Sequence, residues 1–202
     1  MVAYIMKSKT LIKSEFIHAT MEIPPDVLEL WDKYNLDDSV RKHCITVAKI
    51  AVSIAEHIKQ NGYDVDITCV LKGALLHDIG RTITHDPFKH FIKSAEILRK
   101  ENVDEKIVKI VERHFSVGIT AEEAKKLGLA PKDYMPETLE EKIVSFADNM
   151  VMGSKQGSFR EFMKRLDEIN NSFPHLKWLT DRTRKRAEKM KYELEKLSGL
   201  IF

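Results

Sequence analysis

Val70-Leu71-Lys72-Gly73-Ala74-Leu75-Leu76-His77-Asp78-Ile79-Gly80-Arg81 decides how this chain is read. An apolar helical run ends in a histidine and an aspartate side by side, and Gly80 follows at once. Buried stretches rarely carry two adjacent polar side chains unless something binds them. An imidazole nitrogen beside a carboxylate oxygen is a donor pair that divalent metals accept. The pair gains weight because other His and Asp residues fall in register with it.

Helical periodicity surrounds this stretch. Pro24-Pro25 stop any earlier element, and residues 26–34 read as a first short helix. Asp38 or Ser39 is placed to cap a second, whose stripe runs Val40, Cys44, Val47, Ala51, Ile54 or Ala55, and Ile58 until Gly62 ends it. Asp64 or Asp66 opens a third over about 67–78. Residues 88–100 form a fourth, with Phe91, Ala95 and Leu98 inward, and 104–114 a fifth, with Ile107, Ile110 and Val111 inward. Thr120-Ala121-Glu122-Glu123 and Thr138-Leu139-Glu140-Glu141 have the form of capping boxes, the second opening a helix through about Met152. Gly153 to Ser158 reads as a hinge before two charged amphipathic helices, 159–170 and 175–198. Alternating apolar runs are scarce, so the expected class is all-α.

Bulk properties narrow the function. At 202 residues, 43% hydrophobic and 32% charged, the chain has the make-up of a soluble globular protein with a substantial core. A net charge of +2 argues against strongly basic nucleic-acid binding. No apolar run has membrane-spanning length, and Met1 to Thr10 lacks the pattern of a signal peptide, so the expected location is cytoplasmic. Cys44 and Cys69 are far apart in apolar stretches and read as buried free thiols. Oligomeric state is left open.

On those helices His43 falls on the inward stripe of the second, His77-Asp78 at the end of the third, and His90 near the start of the fourth. His114 lies inward on the fifth, and Asp148 follows Val144 by four. Any one of them is compatible with a hydrogen-bonded core residue or a surface residue. Together they would need several separate buried polar partners, whereas one shared ion accounts for them all.

The order His43 … His77-Asp78 … Asp148 resembles the HD-domain superfamily of metal-dependent phosphohydrolases. The likeness covers roughly residues 38–152. Leu75 to Arg81 is similar to its central motif, and Ile143-Val144-Ser145-Phe146-Ala147-Asp148 to its closing Asp motif. His90 to Leu98 resembles the segment that supplies an extra His in binuclear members, although Ser94 stands where Gly is usual. Trp31-Asp32-Lys33-Tyr34 and Ala147-Asp148-Asn149 also resemble a group of small, mostly archaeal HD proteins of uncertain function.

The resemblance implies an HD-type helical bundle with a metal site between core helices. The implied division is an N-terminal segment 1–24, a metal-binding domain 25–152 and a C-terminal helical extension 153–202 packed on it. It implies ligation by His43, His77, Asp78 and Asp148, with His90 and His114 adding a second ion and Asp78 bridging. Imidazole and carboxylate donors suit Mn, Fe, Co, Ni or Zn. The expected reaction is hydrolysis of a phosphomonoester or a (cyclic) phosphodiester of a small nucleotide-like metabolite by a metal-bound hydroxide. Arg81 would hold the phosphate through its guanidinium. His85 is open to being a proton donor, a substrate contact, a replacement ligand for His90 or a surface loop residue, and Lys155 to being a solvated side chain or one that reaches a phosphate. The loop from Phe115 to Pro136 is long enough to cover a pocket, and Arg182-Thr183-Arg184-Lys185-Arg186 reads as a solvated helix face. Two rivals stand beside this reading: a mixed-valence diiron oxygenase of HD type, and a non-catalytic nucleotide- or metal-binding module.

Overall fold

Pro25 starts the first helix, α1 (Pro25–Lys33), where its fixed φ and missing N–H cost nothing. The computed structural model describes residues 10–11 and 21–202. Apart from Thr10, the stretch searched for a signal peptide lies outside the described residues. Among the described residues no helix is long and apolar enough to cross a membrane.

The second helix, α2 (Asp38–Gln60), is capped by Asp37, not by Asp38 or Ser39. Asp37 keeps an extended backbone and its carboxylate accepts from the Ser39 N–H at 2.7 Å, so Asp38 is already helical. The expected stripe is buried from Cys44 to Ile58, with Val40 half-buried. Asp66 caps α3 (Ile67–Leu76). That helix stops two residues before the expected end, and a 3-10 turn, Ile79–Thr82, follows. Its last carbonyls are satisfied from outside the helix ladder. The buried indole of Trp31 donates to the Leu75 oxygen at 3.1 Å, and the His77 imidazole bonds the Ala74 oxygen at 2.7 Å.

Next come α4 (His90–Lys100), α5 (Glu105–Glu112), α6 (Ala121–Lys126) and α7 (Leu139–Asn149). The Thr120–Glu123 and Thr138–Glu141 capping boxes are both formed. The expected hinge at 153–158 is instead an antiparallel hairpin, Val151–Met152 against Lys155–Gln156. Gly153 sits in its turn at φ +60°, a conformation glycine takes without Cβ strain. Ser158, read as the hinge's last residue, forms a third capping box with Glu161 and opens α8 (Phe159–Ser172). A 3-10 turn at Pro174–Leu176 leads into α9 (Lys177–Ser198). Leu200–Ile201 pairs in parallel with Thr10–Leu11.

The protein is all-α, and among the described residues the strands are two residues long. One core joins α2, α3, α5 and α7 with Phe162 and Leu166 of α8 and Ala187, Met190 and Leu194 of α9. The C-terminal basic run is not a freely solvated face. Arg182 and Arg186 both pair with the fully buried Glu123 of α6, and Arg184 pairs with Asp167. These charges tie α9 to α6 and α8, because a buried carboxylate without partners would be costly.

Candidate metal centre

Two histidines reach the centre by the same local device. His77 and His114 each lie just past a helix end, and each turns Nδ1 back onto the carbonyl three residues earlier, Ala74 and Val111, at 2.7 Å. Each bond covers a helix-terminal carbonyl and leaves Nε2 aimed into the core. His114 is therefore placed by the end of α5 and not by its stripe, since that helix stops at Glu112. His43 is held from the other side, with Nδ1 2.7 Å from the Gly153 oxygen in the hairpin turn. His90 opens α4. The closeness of α4 to the 79–82 turn rests on Gly80, whose N–H donates to the Ser94 hydroxyl at 2.8 Å. A Cβ on Gly80 would stand under 3.0 Å from the His90 oxygen and the Ser94 nitrogen.

Six of the expected residues meet in two lobes on either side of Asp78. On one side His43 Nε2 lies 3.0 Å from Asp148 Oδ1 and 3.2 Å from His77 Nε2, and both imidazoles are 3.9 Å from Asp78 Oδ2. On the other, His90 Nε2 and His114 Nε2 are 3.2 Å apart, and 3.2 and 3.9 Å from Asp78 Oδ1. The lobes touch, since His77, His114 and Asp148 also present converging donor atoms.

These donors fit a metal better than they fit one another. With Nδ1–H committed to a carbonyl, His43 and His77 face each other through Nε2 lone pairs. Lone pairs at 3.2 Å repel unless a proton or a cation lies between them. Asp78 Oδ1 is buried and lacks a hydrogen-bond partner, because its 3.2 Å approach to His90 is off-line. Orphaned acceptors of this kind require an explanation, and a shared cation supplies one.

Electrostatics prepare the same donors. Burial alone would raise Asp78, but the charges of His77, His90, Arg81 and His114 outweigh it and bring its pKa down to about 2. Burial opposes ionisation of Asp148 as well, yet the His43 and His77 imidazoles beside it, which donate to it when protonated on Nε2, hold it well below the ordinary carboxylate range. Burial, reinforced by neighbouring positive charge, lowers His114 to about 3, and burial also lowers His90. Burial works against a proton on His77 too, but Cys44, Asp78 and Asp148 prevail and raise it well above the usual imidazole value. Ionised carboxylates and neutral imidazoles are the forms that bind metal, so Asp78, Asp148, His90 and His114 are in binding form, whereas His77 must exchange its proton for the ion.

The centre forms the floor of a cavity of about 1150 Å³. Arg81 lines it and spends Nε on Asp78 Oδ2 at 2.6 Å. Lys42, which precedes His43 and was not singled out in the sequence, also lines it. Its only signal was its place beside an inward histidine. His85 and Lys155 are exposed and lie outside the lining. Of the loop expected to cover a pocket, Phe115 and Ser116 alone contribute, while Ile119 and Tyr134 fill a small core of their own. The opposite wall comes from α8 and α9.

A family model described as the HD domain matches residues 40–153. The chain is 46% identical over 141 residues to an uncharacterized protein of Methanocaldococcus jannaschii, covering 69% of this chain and 83% of that one. It is 48% identical over 136 residues to a tRNA (cytidine(56)-2'-O)-methyltransferase of Picrophilus torridus. That match covers 67% of this chain but 38% of the relative, so the chain spans well under half of that protein's length. Among solved structures, the HD domain of the Listeria monocytogenes phosphodiesterase PgpH superposes with a TM-score of 0.50 at 19% identity, over 81% of this chain and 96% of that one. That likeness is one of fold.

Proposed function

The chain belongs to the HD-domain family of metal-dependent phosphohydrolases, and on that premise we propose that it hydrolyses a phosphomonoester or phosphodiester of a small organic substrate. The observation that carries this reading is the pair of donor lobes sharing Asp78 on the floor of a large cavity. His43, His77 and Asp148 would hold one divalent ion with Asp78 Oδ2, and His90 and His114 a second with Asp78 Oδ1. Bound there, such ions lower the pKa of a coordinated water from 15.7 toward about 7 and offset phosphoryl charge.

The chain's own residues do the remaining work. Nδ1 bonds to backbone carbonyls fix the tautomer and angle of His43, His77 and His114. Arg81 keeps Asp78 in place with Nε and has its two terminal nitrogens for phosphoryl oxygens. Lys42 adds a positive charge to the lining. Arg81 and Lys42, which line the cavity, are the residues proposed for phosphate recognition; His85 and Lys155 are exposed outside the lining and have no assigned part here.

Replacing Arg81 by Ala is expected to leave metal content unchanged and to lower kcat/KM roughly ten- to hundredfold. That corresponds to losing a charged hydrogen bond worth about 1.5–3 kcal/mol. Loss of metal in Arg81→Ala would show instead that its role is to hold Asp78. His114→Ala is expected to reduce bound metal from two ions per chain to one; a wild-type count of one would refute the two-lobe assignment. The central experiment is metal analysis of protein purified without added metal, followed by a phosphoester panel with Mn, Fe(II), Co and Ni. Turnover of at least one ester supports the proposal. Oxygen uptake dependent on reduced iron, with no ester cleaved, would overturn it in favour of an oxygenase.

A further inference from the structure

The cavity above the metal centre is chemically two-sided. Its floor carries the donors, Arg81 and Lys42. The facing wall, built by α8, the 174–176 turn and α9, is made of Phe162, Leu166, Ile169, Phe173, Leu176 and Leu179. Several polar side chains around them are already engaged, while the exposed His175 of the turn makes an edge-on ring contact with Phe173. Thr180 bonds Asn170 and the Lys177 carbonyl, Thr183 and Ser116 bond each other at 2.6 Å, and the Asn149 amide donates to the Ser145 oxygen at 2.7 Å. Arg165 lays its guanidinium 5.4 Å above the Phe162 ring. At the rim Phe173 leaves 52% of its surface exposed, although exposing a large aromatic ring gains nothing for the fold.

We propose that this wall is the specificity element, and that the substrate is a phosphoester whose organic part is bulky and apolar. The proposal rests on the phosphohydrolase reading and adds the substrate class. A nucleoside would bring ribose hydroxyls and base edges that need partners. Burying them against a wall of mainly apolar side chains is unfavourable. An alkyl, prenyl or aryl group makes no such demand and displaces water from an apolar surface. A cavity of about 1150 Å³ is far larger than a phosphoryl group requires, so it has room for a large organic portion, and the apolar wall sets the character of that portion.

Non-hydrolysable n-alkyl phosphonates test this, titrated by calorimetry into the full-length, Mn-loaded protein, with adenosine 5'-methylenephosphonate as the competing class. Affinity is expected to rise about three- to fourfold per added methylene from ethyl to roughly octyl, the effect of burying one CH₂. Phe173→Asp, at an exposed position that should not unfold the chain, is expected to flatten that series. Inorganic phosphate, which has no organic part, should still bind it as it binds the wild type. Ile169→Ser serves as a second, milder variant with the same expected direction. A flat series in the wild type, or tighter binding of the adenosine phosphonate than of octyl phosphonate, would overturn the proposal. The two readings fail separately. Absence of turnover with an intact chain-length dependence sinks the hydrolase, and turnover with a flat series sinks the apolar specificity.

Discussion

Asp78→Ala is expected to empty both lobes of the metal centre at once. Its two oxygens are divided between the His43–His77 side and the His90–His114 side, whereas Asp148 sits with His43 and His77 and reaches only His114 of the other side. Deleting it also leaves four imidazoles and the Arg81 guanidinium around a site without its central negative charge, which disfavours a further cation. Metal content should fall to near zero. Activity should fall by a factor on the order of 10³ or more, since ion-assisted activation of water and charge offset are each worth several kcal/mol. Elemental analysis alongside an ester-cleavage assay checks it. Retention of both ions would mean that the lobes are independent and that Asp78 does not join them. Asp78→Asn, which keeps one neutral oxygen, should fall between.

The second large effect is expected from a single methyl group far less conspicuous than a ligand. Gly80→Ala would push a Cβ into the His90 carbonyl and the Ser94 nitrogen, both backbone atoms of α4 that cannot rotate away. The helix must move outward and take His90 with it. Overpacking of this kind costs about 1–3 kcal/mol, sometimes more. In a chain of this size that lowers Tm by about 2–4 °C for each kcal/mol. The side of the centre that depends on His90 should lose its ion first, while the His43–His77–Asp148 side keeps its own. Calorimetry and metal analysis read the two consequences separately. An unchanged Tm together with full metal loading would mean that α4 is not seated on Gly80.

Much of this was visible in the residues because helices write a period of 3.6 into the chain. The stripe of α2 and the two Thr–Glu boxes are local patterns, and they fold as written. What failed to show was set by geometry beyond a few residues. His114 was placed on a helix face because Ile110 and Val111 continue the stripe, yet the helix ends at Glu112 and a 3-10 turn begins at Phe115. Gly153-Ser154 has the composition of a linker and of a two-residue turn alike; only the pairing of Val151 with Gln156 separates them. His85 and Lys155 looked functional through closeness in sequence, and space puts them outside the cavity. The wall from α8 and α9 left no trace in any motif, because it lies outside the metal-binding segments and meets the centre only in the folded chain.

The hairpin turn has a bearing on how the protein can be divided. Its Gly153 oxygen holds His43, and Thr46 of α2 bonds the next carbonyl, Ser154, at 3.1 Å. The family match ends at residue 153, inside that turn. A fragment cut at the alignment boundary would keep the six candidate ligands and Gly153 itself, but would lose Ser154 and the Lys155–Gln156 strand that hold the turn in place, along with one side of the chamber. The structural unit is thus longer than the match that identifies it, and shortening the gene to residues 40–153 would discard part of the cavity.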